Sequence, residues 1–125
     1  MLNLVDSSGW LEYLSDGQNA DFFTKPLQDT ENLIVPTICL YEVFKVVMRE
    51  RSEDEAIQAI GLMKQAETIN LTTEIAIQAA KNSYTHQIPM ADSIILTTGQ
   101  LHHAVIWTQD KDFEPFKDVK FIHKK

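Results

Sequence analysis

The chain predicts an α/β protein in three layers, with a central parallel sheet covered on both faces by helices. Two patterns carry that expectation. Short apolar runs of strand character alternate with helix-like stretches along all 125 residues, the pattern of parallel strands joined by helical crossovers. Acids close two of the strand-like runs, Asp6 and Asp110, and ligands of open parallel sheets gather beyond the carboxyl ends of the strands. A chain of this length fits one domain, residues 1–125. Such a domain buries roughly two-thirds of the surface exposed when unfolded, so it needs no covalent staple.

Residues 2–5 are the first strand candidate, and Ser7 or Ser8 is suited to cap a helix through Trp10, Leu11 and Leu14. Residues 15–19 break that pattern. A helical stretch over 20–28 follows, in which Pro26 is expected to kink or restart the helix. Leu33, Ile34 and Val35 read as a buried strand ended by Pro36, and residues 37–51 as a helix. Ser52 and Glu55 match a capping box, opening a helix with Ala56, Ile57, Ile60 and Met63 on one side.

Residues 67–71 return to strand character, and Thr72 or Thr73 is suited to cap a helix carrying Ile75, Ala76, Ala79, Ala80 and Tyr84. Residues 86–89 interrupt it. The next helix begins near Met90 and carries Ile94, Ile95, Leu96 and Leu101, before residues 104–108, the clearest central strand. A turn or short helix is expected over 113–116 and an edge strand over 119–122. No internal repeat or linker interrupts the pattern.

With 18 Asp and Glu against 11 Lys and Arg, the formal charge is −7. That balance disfavours broad binding to duplex nucleic acid, which needs a basic footprint. Lys45 and Arg49 lie three and seven positions after Glu42, roughly on its face of a helix, and read as a solvated edge or as ion-pair partners for it. The lone Cys39 excludes an internal disulfide and reads as a small buried side chain in a reducing compartment. No signal segment or membrane span is evident, so a cytoplasmic location is expected.

Four acids sit at the edge of or inside apolar runs: Asp6, Glu42, Asp92 and Asp110. An ionised carboxylate near a core costs several kcal/mol unless something positive compensates it. Spread over the whole chain, the four suggest a shared cation. Mg²⁺ or Mn²⁺ is the natural candidate, because hard divalent ions prefer oxygen ligands, and metal-assisted phosphodiester chemistry follows as the first hypothesis. Thr108 and Ser7 are suited to orient a ligand or a bound water. Asp112 is a further candidate ligand, set against a reading as a turn residue bonding nearby backbone.

Other constellations point elsewhere. His102 and His103 are helix neighbours about 100° apart with no third ligand at zinc spacing, so they read as surface or partly buried side chains. Trp10, Phe22, Phe23, Phe44 and Trp107 lie in apolar runs and read as core rather than as base-stacking platforms.

The motifs in order are Val5-Asp6-Ser7-Ser8, Leu40-Tyr41-Glu42-Val43, Met90-Ala91-Asp92-Ser93 and Thr108-Gln109-Asp110-Lys111-Asp112. Together they resemble the PIN-domain ribonucleases, and within them the small VapC-type toxins of toxin–antitoxin pairs. That resemblance implies a PIN-like fold and one or two Mg²⁺ or Mn²⁺ ions held by Asp6, Glu42, Asp92 and Asp110 for RNA hydrolysis. It also implies a homodimer and an antitoxin partner whose tail covers the acidic cleft. A phosphoacceptor receiver domain is the main rival, but it carries paired acids at the first strand and a Lys after the last central one. Here serines follow Asp6, and Gln109 and Asp110 follow Thr108. A haloacid-dehalogenase-like phosphatase needs an acid where Ser8 stands. A PIN-like binding module without catalysis is the remaining alternative.

Overall fold

The computed structural model describes residues 1–125. Strands β1 (Asn3–Val5), β2 (Leu33–Pro36), β3 (Glu67–Ile69), β4 (Val105–Thr108) and β5 (Val119–Phe121) form one sheet in the order β3-β2-β1-β4-β5. All four strand pairings are parallel. Between β1 and β2 lie helices α1 (Ser7–Leu14) and α2 (Ala20–Gln28); α3 (Thr37–Glu50) and α4 (Glu53–Met63) join β2 to β3; α5 (Thr73–His86) and α6 (Met90–Leu101) join β3 to β4. The first two crossovers step one way along the sheet and the third steps back past β1. With right-handed connections, α1 to α4 therefore cover one face and α5 and α6 the other. The expected three-layer α/β/α architecture is the one observed.

The core explains why the short strands hold. Leu4, Val5, Ile34, Val35 and Ile106 on the central strands are at most 2% exposed, and Trp10, Phe23, Val43, Met63 and Leu96 pack on them from the helices. Burying a side chain of this size stabilises by about 1.5–3 kcal/mol. Trp10, Phe23 and Trp107 are buried as expected, whereas Phe22 and Phe44 are only partly covered. No helix is long and apolar enough to cross a membrane.

Several local expectations are corrected. The cap of α1 is Asp6, whose side chain accepts from the Gly9 N–H, and Ser7 and Ser8 lie inside the helix. Pro26 does not restart α2: it sits in the last turn of one continuous helix, forfeiting only the ladder bond to Phe22, and the helix ends at Gln28. Ser52 and Thr72 do cap α4 and α5 through the N–H groups of Glu55 and Ile75. On α4 the covered side is Ala56, Ala59 and Met63, while Ile57 is 56% exposed. On α5 only Ile75 and Ala79 are buried; Ala76, Ala80 and Tyr84 face outward. A narrow stripe suffices where a helix packs mainly along one neighbour. The short 3-10 helix near the C-terminus runs over Lys111–Phe113, earlier than the expected 113–116.

Candidate functional site

The order of connections reverses between β1 and β4, parallel neighbours at the centre of the sheet. At such a switch point the two following connections diverge and leave a crevice at the carboxyl edge. Asp6 leaves β1 into this crevice, and Asp110 stands two residues after the end of β4. Asp92 lies in the first turn of α6 and Glu42 in the second turn of α3, helices that pack on one another.

Within the crevice, Asp92, Asp110 and Asp112 form the tightest group: one oxygen from each lies within 4.8 Å of the others. Asp6 and Glu42 stand outside that trio but are tied to it. Thr108 Oγ1 donates to Asp6 Oδ2 at 2.6 Å and accepts from the Asp110 N–H at 2.8 Å, so one hydroxyl fixes both acids. Ser7 Oγ donates to Glu42 Oε1 at 2.6 Å. Asp112 lies in the short 3-10 turn after Asp110: its N–H donates to Asp110 Oδ1 at 2.9 Å, while its own carboxyl group meets Asp92. Lys45 and Arg49 do not pair with Glu42. Lys45 stands over the Tyr41 ring, and Arg49 meets Glu50 on the exposed outer surface at 4.0 Å.

Electrostatics follow from this crowding. Burial pushes the Asp6 carboxyl up to about 6, even though hydrogen bonds from Thr108, Gly9 and Ser8 favour its ionised form. Asp92 is pushed up to about 8, first by burial, then by the charges of Asp110, Asp112 and Asp6 and a hydrogen bond with Asp112. Beneath the acids, burial raises the Cys39 thiol, and Asp6, Glu42 and Asp92 reinforce it against a hydrogen bond with Ser7. That thiol stays neutral at pH 7, so Cys39 adds no further negative charge. The donor set is entirely oxygen and strongly anionic, as a hard divalent cation requires, and no basic side chain forms an ion pair with it.

Residues that sequence reasoning passed over complete the site. Ser8 Oγ donates to both oxygens of Asp6, at 2.8 and 3.0 Å. Gly9 has room for no side chain, because a Cβ there would stand 2.6 Å from Phe23 Cε1. This close approach lets the N-terminus of α1 seat its N–H on Asp6. Gln109, Asn19 and Glu12 form a polar group behind β4, and nothing in their spacing signals it, since they lie on three separate segments up to 97 positions apart. A cavity of about 630 Å³ adjoins the site rather than containing it, reaching it through Ser8, Glu12 and Gln109 and running past Leu11, Val47 and Lys124. His102 Nδ1 lies against the Thr98 carbonyl at 2.9 Å, as a side chain belonging to the helix end.

Comparison with known proteins bears on this arrangement. A toxin–antitoxin complex from Klebsiella pneumoniae is similar, with a TM-score of 0.79 and 22% identity over 94% of this chain and 95% of that one. The sarcin-ricin loop cleaving toxin VapC20 of Mycobacterium tuberculosis gives 0.75 and 18%, covering 93% and 97%. VapBC2 of Rickettsia felis, bound to a promoter DNA fragment, gives 0.76 and 11%, covering 98% of each chain. No curated protein sequence matches the chain. At these identities the solved structures speak for the fold alone. The PIN domain model, however, matches residues 4–121, from the first strand through the last and across every acid at the switch point. By that match the chain belongs to the PIN domain family.

Proposed function

We propose that the chain, as one PIN domain over residues 1–125, is a Mg²⁺- or Mn²⁺-dependent endoribonuclease and the toxin of a toxin–antitoxin pair. Asp6, Glu42, Asp92, Asp110 and Asp112 hold the ion. The observation that carries this reading is an acidic cluster at the switch point with two carboxyls pushed up to about 6 and about 8 and no basic side chain paired to them. A divalent ion bound there supplies activation of water and stabilisation of charge on the phosphoryl and leaving oxygens. The chain's own groups hold the ligands still: Thr108 orients Asp6, Ser7 orients Glu42, and the Asp112 N–H orients Asp110.

Toxin-family resemblance supports RNA as substrate, a small antitoxin as partner and a homodimer as the assembly. A basic antitoxin segment gains charge-assisted hydrogen bonds over such a cluster. The PIN assignment leaves no place for the receiver-domain alternative, and a binding module without catalysis is what the assay must separate. Purified protein should cleave RNA with Mg²⁺ or Mn²⁺ and not in chelator. Asp6→Asn, Glu42→Gln and Asp92→Asn should each lower the rate by at least about a hundredfold. Asp112→Asn should join them, given its place in the trio. Cleavage at the wild-type rate by Asp6→Asn and Asp92→Asn, in preparations free of other nucleases, would overturn the mechanism.

A further inference from the structure

Strand-like alternation past the end of β4 divides three consecutive side chains between two sides. Thr108 and Asp110 turn toward Asp6 and the acid trio, and Gln109 between them turns away. Gln109 is 6% exposed and every polar atom of its side chain is engaged. Its Oε1 accepts from Asn19 Nδ2 at 2.9 Å, and its Nε2 donates to Glu12 Oε1 at 3.3 Å and to the Ser8 carbonyl at 3.5 Å. Its backbone N–H donates to Ser8 Oγ, the hydroxyl that also bonds Asp6. Asn19, 2% exposed, is anchored in turn: its N–H donates to Glu12 Oε2 at 2.8 Å, and Nδ2 donates also to the His123 carbonyl at 3.0 Å.

We propose that Gln109 and Asn19 are positioning residues for the metal site, a buried clamp that fixes the segment from Thr108 to Asp110 against α1. Neither residue touches the acids. The clamp acts because residues 108–110 form one short run of backbone: gripping the middle side chain from behind fixes how far the flanking Thr108 and Asp110 reach forward. The directional bonds of a buried polar network define one geometry, whereas an apolar contact of similar size tolerates sliding; in this network only Asn19 Oδ1 lacks a partner. Glu12 and Asn19 also join the end of α1 and the start of α2 to the same point, so the cap at Asp6 and the loop bearing Asp110 move together.

This proposal rests on the metal-site reading, and the experiment separates the two. Mn²⁺ affinity is measured by electron paramagnetic resonance on wild type, Asp92→Asn, Gln109→Met, Asn19→Ala and Ser52→Ala, with urea stability recorded in chelator. Gln109→Met keeps the volume and removes the hydrogen bonds; Asn19→Ala removes the anchor at one remove, and decides the matter if the first variant fails to fold. Ser52→Ala is a destabilised control whose change lies on α4, away from the acids. The clamp predicts Mn²⁺ binding at least about tenfold weaker in both Gln109→Met and Asn19→Ala, the size typical for groups that orient a ligand, with Ser52→Ala unchanged. A purely structural role lowers urea stability and leaves the affinity of folded protein at the wild-type value. That result, with wild type binding Mn²⁺ and Asp92→Asn losing it, overturns the clamp alone. Absence of Mn²⁺ binding by wild type overturns the metal site and the clamp together.

Discussion

Asp92 carries the plainest consequence of gathering like charges. Its folded-state carboxyl is raised to about 8, and that of Asp6 to about 6, against unfolded values near 3.8. The native state therefore holds protons that the unfolded chain has already lost over this range. Stability then falls as pH rises. Without metal, the protein is expected to be most favoured by these groups below about pH 4, and to lose that contribution as pH climbs through 6 and then 8. Melting curves in chelator across that range check the sign; a melting temperature that rises steadily from pH 5 to 8.5 would contradict it. Asp92→Asn should be neutral or stabilising in chelator at pH 8, yet should lose most of the Mn²⁺-induced gain. Asp6 is a poorer probe, because Asn at that position forfeits part of the bonding to Gly9, Ser8 and Thr108 that holds α1.

Among the elements, α1 is the most constrained by the site, since a single carboxylate ends β1, caps the helix and lines the crevice. Gly9→Ala must displace Phe23 or Val5, and overpacking of this kind destabilises by about 1–3 kcal/mol. A folded Gly9→Ala should also bind Mn²⁺ more weakly, because the N–H seated on Asp6 moves with the helix. For α4 the expectation is simpler: Ser52→Ala removes the acceptor for the Glu55 N–H and costs about 1 kcal/mol, with no change in activity per folded molecule. Urea titrations of both variants give the two free energies. On α6, residues Ser93–Gly99 are all buried, and a Cβ on Gly99 would stand 2.7 Å from Ile106 Cδ1. That helix is pressed onto the sheet between layers, and so it holds Asp92 at a fixed height above β4.

Across the whole molecule, the proposed cation site ties metal binding to folding, because five of the 18 acids of a chain with net charge −7 gather about one crevice. Mg²⁺ or Mn²⁺ at a hundredfold excess over its dissociation constant should stabilise by about 2.7 kcal/mol, provided the unfolded chain does not bind it. The same field governs association. An antitoxin segment bearing Arg or Lys should bind more weakly as salt rises, and more weakly to Asp6→Asn or Asp92→Asn. Titration calorimetry at two ionic strengths tests it; binding that ignores both salt and substitution would put the partner on another surface.

The order and kind of the elements were legible in the chain because hydrophobic periodicity and turn chemistry are local. Alternating strand and helix patterns, the caps at Ser52 and Thr72, and acids at the ends of strand-like runs all act over a few residues. They were enough to name the parallel sheet and to single out Asp6, Glu42, Asp92 and Asp110 as the acids to test. Only the tertiary structure decided which groups meet. It made Asp6 the cap in place of its serine neighbours, because the crevice needs a carboxylate exactly where α1 begins to bury its N–H groups. It put Asp112 in the trio and Arg49 with Glu50, and it brought Gln109 to Asn19 across the fold. Such pairings depend on strand order and helix packing, and the distance between two side chains in space is not encoded in their separation along the chain.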